Sequence, residues 1–306
     1  MEIIPLVIPF PAEFGRAGKG TNSYLVKGSE KCIMIDTGLD GEGNRAYIND
    51  ALKRASGGRL DAILLTHGHI DHYGLASYLH QKTGAVIMIN DKDSCYLDAY
   101  EKSIDEWFVR IYEPAVEGGF SKKELDDAKM MMRIVARIMN APKEYTTFKE
   151  LRLDLDGWTV DSIDLPGHTM GSVGYVVGDA VFCGDAALDG GVNVLDLKEE
   201  FVTLQKLKIF KKVYAGHGKT PLGPQDLEAL EGRFISRLED VLRASRQGAT
   251  LKEIYEKVYF ESTSNPYIPY RLVHPLNQLI SYLRYLESEG YVAKSGNRWM
   301  SFSEKI

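Results

Sequence analysis

The chain has 306 residues, 44% hydrophobic and 26% charged, a globular composition that excludes disordered and collagen-like classes. A formal charge of −6 argues against a surface built throughout for polyanions. Three cysteines, Cys32, Cys95 and Cys183, form no CxxC pair, which predicts a reducing, cytoplasmic setting. The N-terminus lacks the signature of a signal peptide, and no uncharged run has the length of a membrane span, so a soluble chain is expected.

The first ninety residues read as strands and turns. Leu6–Phe10, Ser23–Val26 and Cys32–Asp36 are β-rich runs, with glycines 18, 20 and 28 between them. A helix is predicted over Glu42–Ala55. A short apolar strand, Asp61–Leu65, runs into the segment THGHIDH, followed by a helix over Tyr73–Lys82 and a strand over Ala85–Asn90. The segment GRAGKGT at 15–21 lacks the spacing of a phosphate-binding loop and leads into a strand, so that reading fails.

Between about residues 93 and 148 the spacing turns helical. Tyr96–Tyr112 presents Trp107, Phe108 and Ile111, and Lys122–Asn140 presents Met131, Ile134, Val135 and Ile138. This predicts a helical hairpin inserted between strands, either packing on the surface or forming a lid. Strands return at Leu151–Leu155, Trp158–Asp164, Val173–Val177 and Ala180–Cys183, then a helix at Leu195–Leu207 and a strand at Lys212–Ala215. After residue 224, helices at Leu227–Arg246, Leu251–Tyr259 and Pro275–Glu289 precede a hairpin around Ser295-Gly296-Asn297, the order of a winged helix. The expected domains are therefore 1–224, catalytic, and 225–306, winged-helix-like.

Four metal-ligand groups fall within six residues: His67, His69, Asp71 and His72. His67 and His69, two apart in an extended segment, point the same way. Asp71 and His72 lie where the next helix begins and aim at a second point of the same cavity. Imidazole and carboxylate suit zinc, iron or manganese, whereas a packing role would crowd polar rings for little apolar return. Three further ligand types stand in strand-end loops, each after a glycine: His168, Asp185 and His217. Seven ligands are what two metals need.

HGHIDH, then PGHT with GS, then CGDA, then AGHG, in that order, resembles the metallo-β-lactamase fold superfamily from residue 1 to about 222, the insertion excepted. TNSYLV at 21–26 and IDTG at 35–38 resemble its strand signatures. The resemblance implies an α+β fold, a four-layer αββα sandwich with the site at one edge of two sheets. It implies two divalent ions, zinc foremost with iron or manganese as alternatives. His67, His69 and His168 would hold one, Asp71, His72 and His217 the other, and Asp185 would bridge. Asp36 would support the ligands from below. Paired metals activate water at neutral pH, which makes a hydrolase, with Asp71 and Asp185 as the catalytic carboxylates.

Departures narrow the substrate. Familiar zinc β-lactamases carry cysteine where this chain has Asp185, and acyl-homoserine lactonases carry tyrosine where it has Leu188. Glyoxalase II has basic C-terminal residues that find no match here. Cys183 is expected to pack in its strand. The C-terminal region resembles that of the β-lactamase-like protein 2 group, whose activities include single-strand RNA cleavage and thioester or ester hydrolysis. Residues 228–306 carry eleven basic and ten acidic side chains, which is no nucleic-acid footprint, although Lys294, Arg298 and Trp299 could touch a backbone. His80 and His274 are expected to be structural. The expected activity is hydrolysis of a thioester, ester or lactone on a small or carrier-bound acyl group, without membrane involvement and with homo-oligomerisation possible. A single-strand endoribonuclease, or a DNA-binding winged helix with a vestigial metal site, are the alternatives.

Overall fold

The computed structural model describes the chain except residues 11–19, 99, 139–140, 260–269 and 304, and except the side chains of 100–103, 106–107, 135–138 and 270–271. Residues 15–19 of the Gly-rich stretch, and the side chains of Trp107, Val135 and Ile138, lie outside the described residues.

A first sheet of six strands runs β1 (Glu2–Pro9), β2 (Gly20–Lys27), β3 (Cys32–Ile35), β4 (Ala62–Leu64), β5 (Val86–Asn90) and β6 (Thr146–Phe148). The first three pair antiparallel and β3 through β6 parallel. The second sheet has the order β11 (Lys212–Ala215), β10 (Ala180–Gly184), β9 (Val173–Val177), β8 (Thr159–Asp164) and β7 (Arg152–Asp154), with only β10 and β11 parallel. Between the sheets lies a core that includes Tyr24, Val26, Ile33, Ile35 and Leu64 from one and Val160, Val173, Tyr175 and Phe182 from the other. β3 reads CIMI and is wholly buried, because its alternate residues face two different cores.

Helices cover both outer faces. On the first sheet, α1 (Glu42–Ser56) buries Ile48, Ala51, Leu52 and Ala55 on one stripe and ends where Gly57 turns left-handed. The single helix expected over Tyr73–Lys82 is two, α2 (Ile70–Tyr73) and α3 (Ala76–Thr83), divided at Gly74. There the backbone of Gly38–Asp40 passes so close that a Cβ on Gly74 would lie 2.8 Å from the Gly38 carbonyl oxygen.

The insertion forms α4 (Cys95–Asp98), α5 (Tyr100–Glu117) and α6 (Lys122–Ile138). Beyond the second sheet come α7 (Leu197–Leu207), α8 (Pro224–Ser245), β12 (Ala249–Thr250), α9 (Leu251–Val258), α10 (Tyr270–Ser288) and the hairpin β13 (Val292–Ser295) and β14 (Arg298–Ser301). One buried cluster joins Val181, Val213 and Ala215 of the sheet to α7, α8, α9 and α10. Ile104, Phe108 and Ile111 of α5 and Leu125 and Ala128 of α6 enter the same cluster, so the insertion packs on the C-terminal helices. Met131 and Ile134 are exposed. No helix among the described residues is long and apolar enough to cross a membrane.

Candidate metal centre

All seven side chains singled out by sequence converge at one edge of the two sheets. Four loops carry them: the one leaving β4, the ones that follow β8 and β10, and the one leaving β11. Their ligand atoms form three overlapping groups: His67, His69 and His168; His67, His72 and Asp185; and Asp71, His72 and His217.

Hydrogen bonds from side chains to backbone carbonyls fix the loops. The Tyr175 hydroxyl donates to the Leu65 carbonyl at 2.7 Å. Thr37 donates through both its amide and its hydroxyl to the His72 carbonyl, and the Thr21 hydroxyl donates to that of Asp71. The Asn22 side chain donates to the carbonyls of Ala215 and Gly218, and Tyr24 donates to Ala215 at 2.6 Å, which holds the His217 loop.

The outward nitrogen of four imidazoles is then committed. His72 Nδ1 donates to Asp36 Oδ2 at 2.8 Å, His168 Nδ1 to the Asn193 carbonyl at 2.6 Å, and His217 Nδ1 to the Gly20 carbonyl at 2.8 Å. His67 Nδ1 stands 3.0 Å from Thr66 Oγ1, whose own proton goes to Asp36 Oδ2, so that ring too donates outward. Each of these rings therefore turns its Nε2 inward. His69 presents Nδ1, 3.0 Å from His67 Nε2 and 3.0 Å from His168 Nε2. His72 and His217 bring their Nε2 atoms to 3.2 Å.

Ring nitrogens this close repel unless a positive charge, a proton or a metal ion, lies among them. Nitrogens bound to one metal at ~2.05 Å stand roughly 2.9–3.4 Å apart between octahedral and tetrahedral angles, which matches this spacing. Asp185 supplies a second indication. Its Oδ1 is buried without a hydrogen-bond partner, which is costly for a carboxylate oxygen unless a cation faces it. Oδ1 lies 3.4 Å from His72 Nε2, and Oδ2 lies 3.5 Å from His217 Nε2 and 3.8 Å from His168 Nε2, so one carboxylate reaches both histidine groups. Asp71 Oδ2 is 3.2 Å from His217 Nε2. The donor set fits two ions.

Electrostatics divide the site. Burial and the neighbouring rings hold His67 well below its ordinary pKa, and burial beside His168 lowers His69 to about 3. Burial opposes protonation of His72 and His217 as well. There the carboxylates win, Asp185 and Asp36 raising His72 to about 10 and Asp185 and Asp71 raising His217 to about 12. Burial likewise opposes ionisation of Asp71 and Asp185, but both are held below the carboxylate range by His217 and His72. His69 and His67 are thus neutral, while Asp71 and Asp185 carry negative charge beside His72 and His217.

Asp36 occupies the place expected of it. It sits at a positive φ of 54°, a strained setting for a non-glycine residue, and accepts from the Thr66 amide, the Thr66 hydroxyl and His72. Asp93 is a contributor that the sequence reading does not find. Nearly wholly buried, it accepts from the Gly68 amide at 2.9 Å, the Thr169 hydroxyl at 2.8 Å and the Gly171 amide at 2.8 Å. One carboxylate thereby ties the loop of His67 and His69 to the loop of His168. Thr66 and the carbonyls of Asn193 and Gly20 are the other unforeseen partners. Tyr96 packs on Gly68, its ring 5.8 Å from that of His69.

Cys183 stays out of the site. It is buried in β10 with Sγ toward the Ala187 carbonyl, and burial pushes its thiol well up. His80 bonds to the Ala85 carbonyl at 2.9 Å. Lys294 pairs with Glu117 and Arg298 with Glu253, each at 3.1 Å.

A strand-edge cluster of five histidines and two aspartates on a two-sheet core flanked by helices defines a metal-dependent hydrolase, and residues 16–240 match the family model described as the metallo-beta-lactamase superfamily. The chain belongs to that superfamily. It is 25% identical over 275 residues to the Beta-lactamase-like protein 2 homolog of Drosophila melanogaster, covering 85% of this chain and 82% of that protein. It is 27% identical over 179 residues to the hydroxyacylglutathione hydrolase GloC of Haemophilus influenzae, covering 54% of this chain and 73% of that one. The fold is similar to the crystal structure of a metallo-beta-lactamase family protein from Thermus thermophilus, with a TM-score of 0.77 at 21% identity over 98% of each chain.

Proposed function

We propose that the chain is a dinuclear metallo-hydrolase acting on a thioester, ester or lactone, with thioesters foremost. His67, His69 and His168 would hold one divalent ion and Asp71, His72 and His217 the other, with Asp185 within reach of both, zinc being the expected metal. When bound, such a pair supplies water activation near neutral pH and stabilises negative charge developing on an acyl oxygen. The protein's part is to turn the Nε2 atoms of four rings inward, which the outward bonds to Asp36, Thr66, Asn193 and Gly20 ensure, and His72 and His217 would give up a proton as a metal binds. Asp71, at the rim beside His217, is the carboxylate that would also orient the attacking water. The observation that carries this reading is Asp185, whose carboxylate lies 3.4 Å from His72 and 3.5 Å from His217 of one histidine group and 3.8 Å from His168 of the other.

Three observations support an acyl substrate over RNA. A hydroxyacylglutathione hydrolase, by name a thioesterase, is among the relatives. The winged-helix-like region has eleven basic residues against ten acidic between 228 and 306. Lys294 and Arg298 are engaged by Glu117 and Glu253 within the protein. The test is kcat/KM for an acyl thioester, a lactone and a single-stranded RNA, from low to moderate salt, on metal-loaded parent and on Lys294→Ala/Arg298→Ala. The expected result is thioester turnover nearly independent of salt and of the double substitution. RNA cleavage that collapses with both would make the chain a single-strand endoribonuclease.

A further inference from the structure

The segment from Val192 to Leu197 lies against His168 from two directions. The Asn193 carbonyl accepts from His168 Nδ1 at 2.6 Å, while the amides of Leu195 and Asp196 donate to the carbonyl of the preceding Gly167 at 2.7 and 3.1 Å. Residues 188–194 have no helix or strand of their own to set their course. Something else must hold them.

That support comes from α10, about 80 residues further along the chain. Asn193 Nδ2 donates to His274 Nδ1 at 2.6 Å. Gln278 Nε2 donates to the Val192 carbonyl at 2.8 Å, and Asn277 Nδ2 reaches the Val194 carbonyl at 3.5 Å. The Leu197 amide donates to Ser281 Oγ at 3.0 Å. Positions 274, 277, 278 and 281 follow the i, i+3, i+4, i+7 spacing of one helix face. Their neighbours Val273, Leu276, Leu279, Ile280 and Leu283 are buried in the apolar cluster. Asn277 and Ser281 are also buried, a position that disfavours polar groups unless their bonds are made. On this face the bonds are made to a single stretch of chain, to backbone from Asn277, Gln278 and Ser281 and to the Asn193 side chain from His274.

We propose that the polar face of α10, formed by His274, Asn277, Gln278 and Ser281, is a positioning device for His168, so that the C-terminal helices form part of the metal centre. The device fixes the Asn193 carbonyl, which in turn fixes the tautomer and orientation of the His168 ring. Changes on this face reach the ion held by His67, His69 and His168 and spare the one held by Asp71, His72 and His217. The proposal rests on the two-ion reading of the site and is independent of the substrate.

The experiment uses the full chain and zinc as the probe. Stepwise zinc affinities are measured by chelator competition on the parent, His274→Ala, Gln278→Ala and the double variant. Arg284→Ala, whose side chain bonds instead to the Arg110 carbonyl, serves as control. Amide exchange at residues 192–197 is followed in the metal-free proteins. Loss of a partner behind a metal ligand typically costs about 10- to 100-fold in affinity. The double variant should lose about that much at one equivalent only, with faster exchange at 192–197, and His274→Asn, which keeps an acceptor near the Nδ1 position, should lose less than His274→Ala. If the double variant fails to fold, Gln278→Ala alone carries the test, with about a tenfold loss expected. Folded variants with parental affinities at both equivalents, or with equal losses at both, would overturn the proposal. A parent that takes up no zinc would overturn the metal-centre reading and this inference with it.

Discussion

Adding one carbon to Gly216 tests how tightly the centre is built. A Cβ at this position would lie 2.4 Å from Asp185 Oδ1 and 2.8 Å from His72 Cε1. Gly216 is not among the residues at positive φ, so alanine is compatible with the backbone and the effect is confined to the contact. An ordinary carbon–oxygen contact is ~3.4 Å, so Asp185 must retreat by about 1 Å, a misplacement that can cost ~100-fold in rate. Overpacking costs about 1–3 kcal/mol in stability, which leaves the protein folded. Gly216→Ala is therefore expected to lower kcat by about 100-fold and to weaken at least one zinc equivalent, with an unchanged circular dichroism spectrum. Gly190→Ala is the control, since a Cβ there meets nothing within 4 Å. Zinc titration, kcat and thermal denaturation are read on the same preparations. Parental kcat and two parental zinc affinities in Gly216→Ala would refute the placement of Asp185 between the two histidine groups.

Asp93→Asn keeps one acceptor oxygen where the parent uses two, so a buried amide of the Gly68 or Gly171 loop loses its partner. Expected are a loss of about 1–3 kcal/mol in denaturant unfolding and about 10- to 100-fold weaker zinc at one equivalent; an unchanged variant would remove Asp93 from its strapping role. Glu200 is wholly buried, and neither carboxyl oxygen has a hydrogen-bond partner, so burial holds its pKa well above the usual value of 4.5. Above 4.5 the unfolded chain has released this proton while the native chain retains it, so stability falls by about 1.4 kcal/mol per pH unit until the native pKa is reached. Glu200→Gln abolishes that contribution. Urea unfolding should therefore show the variant gaining on the parent from pH 5 to 8, and a pH-independent difference would show that Glu200 ionises in the fold.

The convergence of the seven side chains was legible in the sequence because their chemistry is concentrated: four donor types in six residues, then three at glycine-marked strand ends. Strands and helices of the sandwich were legible for a related reason, since β3, β4 and β10 are unbroken apolar runs and α1 keeps one apolar stripe. What escaped depends on distant backbone. Asp93 bonds residues 25 and 78 positions away, and nothing in its local run of Asp91-Lys92-Asp93 sets it apart. The carbonyls that fix His168 and His217 belong to Asn193 and Gly20, and a main-chain acceptor leaves no mark in composition or spacing. β6 is three residues long and is stabilised by pairing with β5, so it has no periodicity of its own to detect. The break at Gly74 arises from the passage of Gly38–Asp40, a contact invisible along the helix itself.

The central claim is that Asp185 joins two metal sites within one chain. Zinc bound per chain after gentle reconstitution and removal of excess metal, measured on the parent and on Asp185→Ala, tests it most directly. The account predicts two equivalents in the parent. In Asp185→Ala it predicts fewer than two at the same free zinc, no turnover, and a native circular dichroism spectrum. A single equivalent in the parent with no second site on titration, or near-parental turnover in Asp185→Ala, would contradict it.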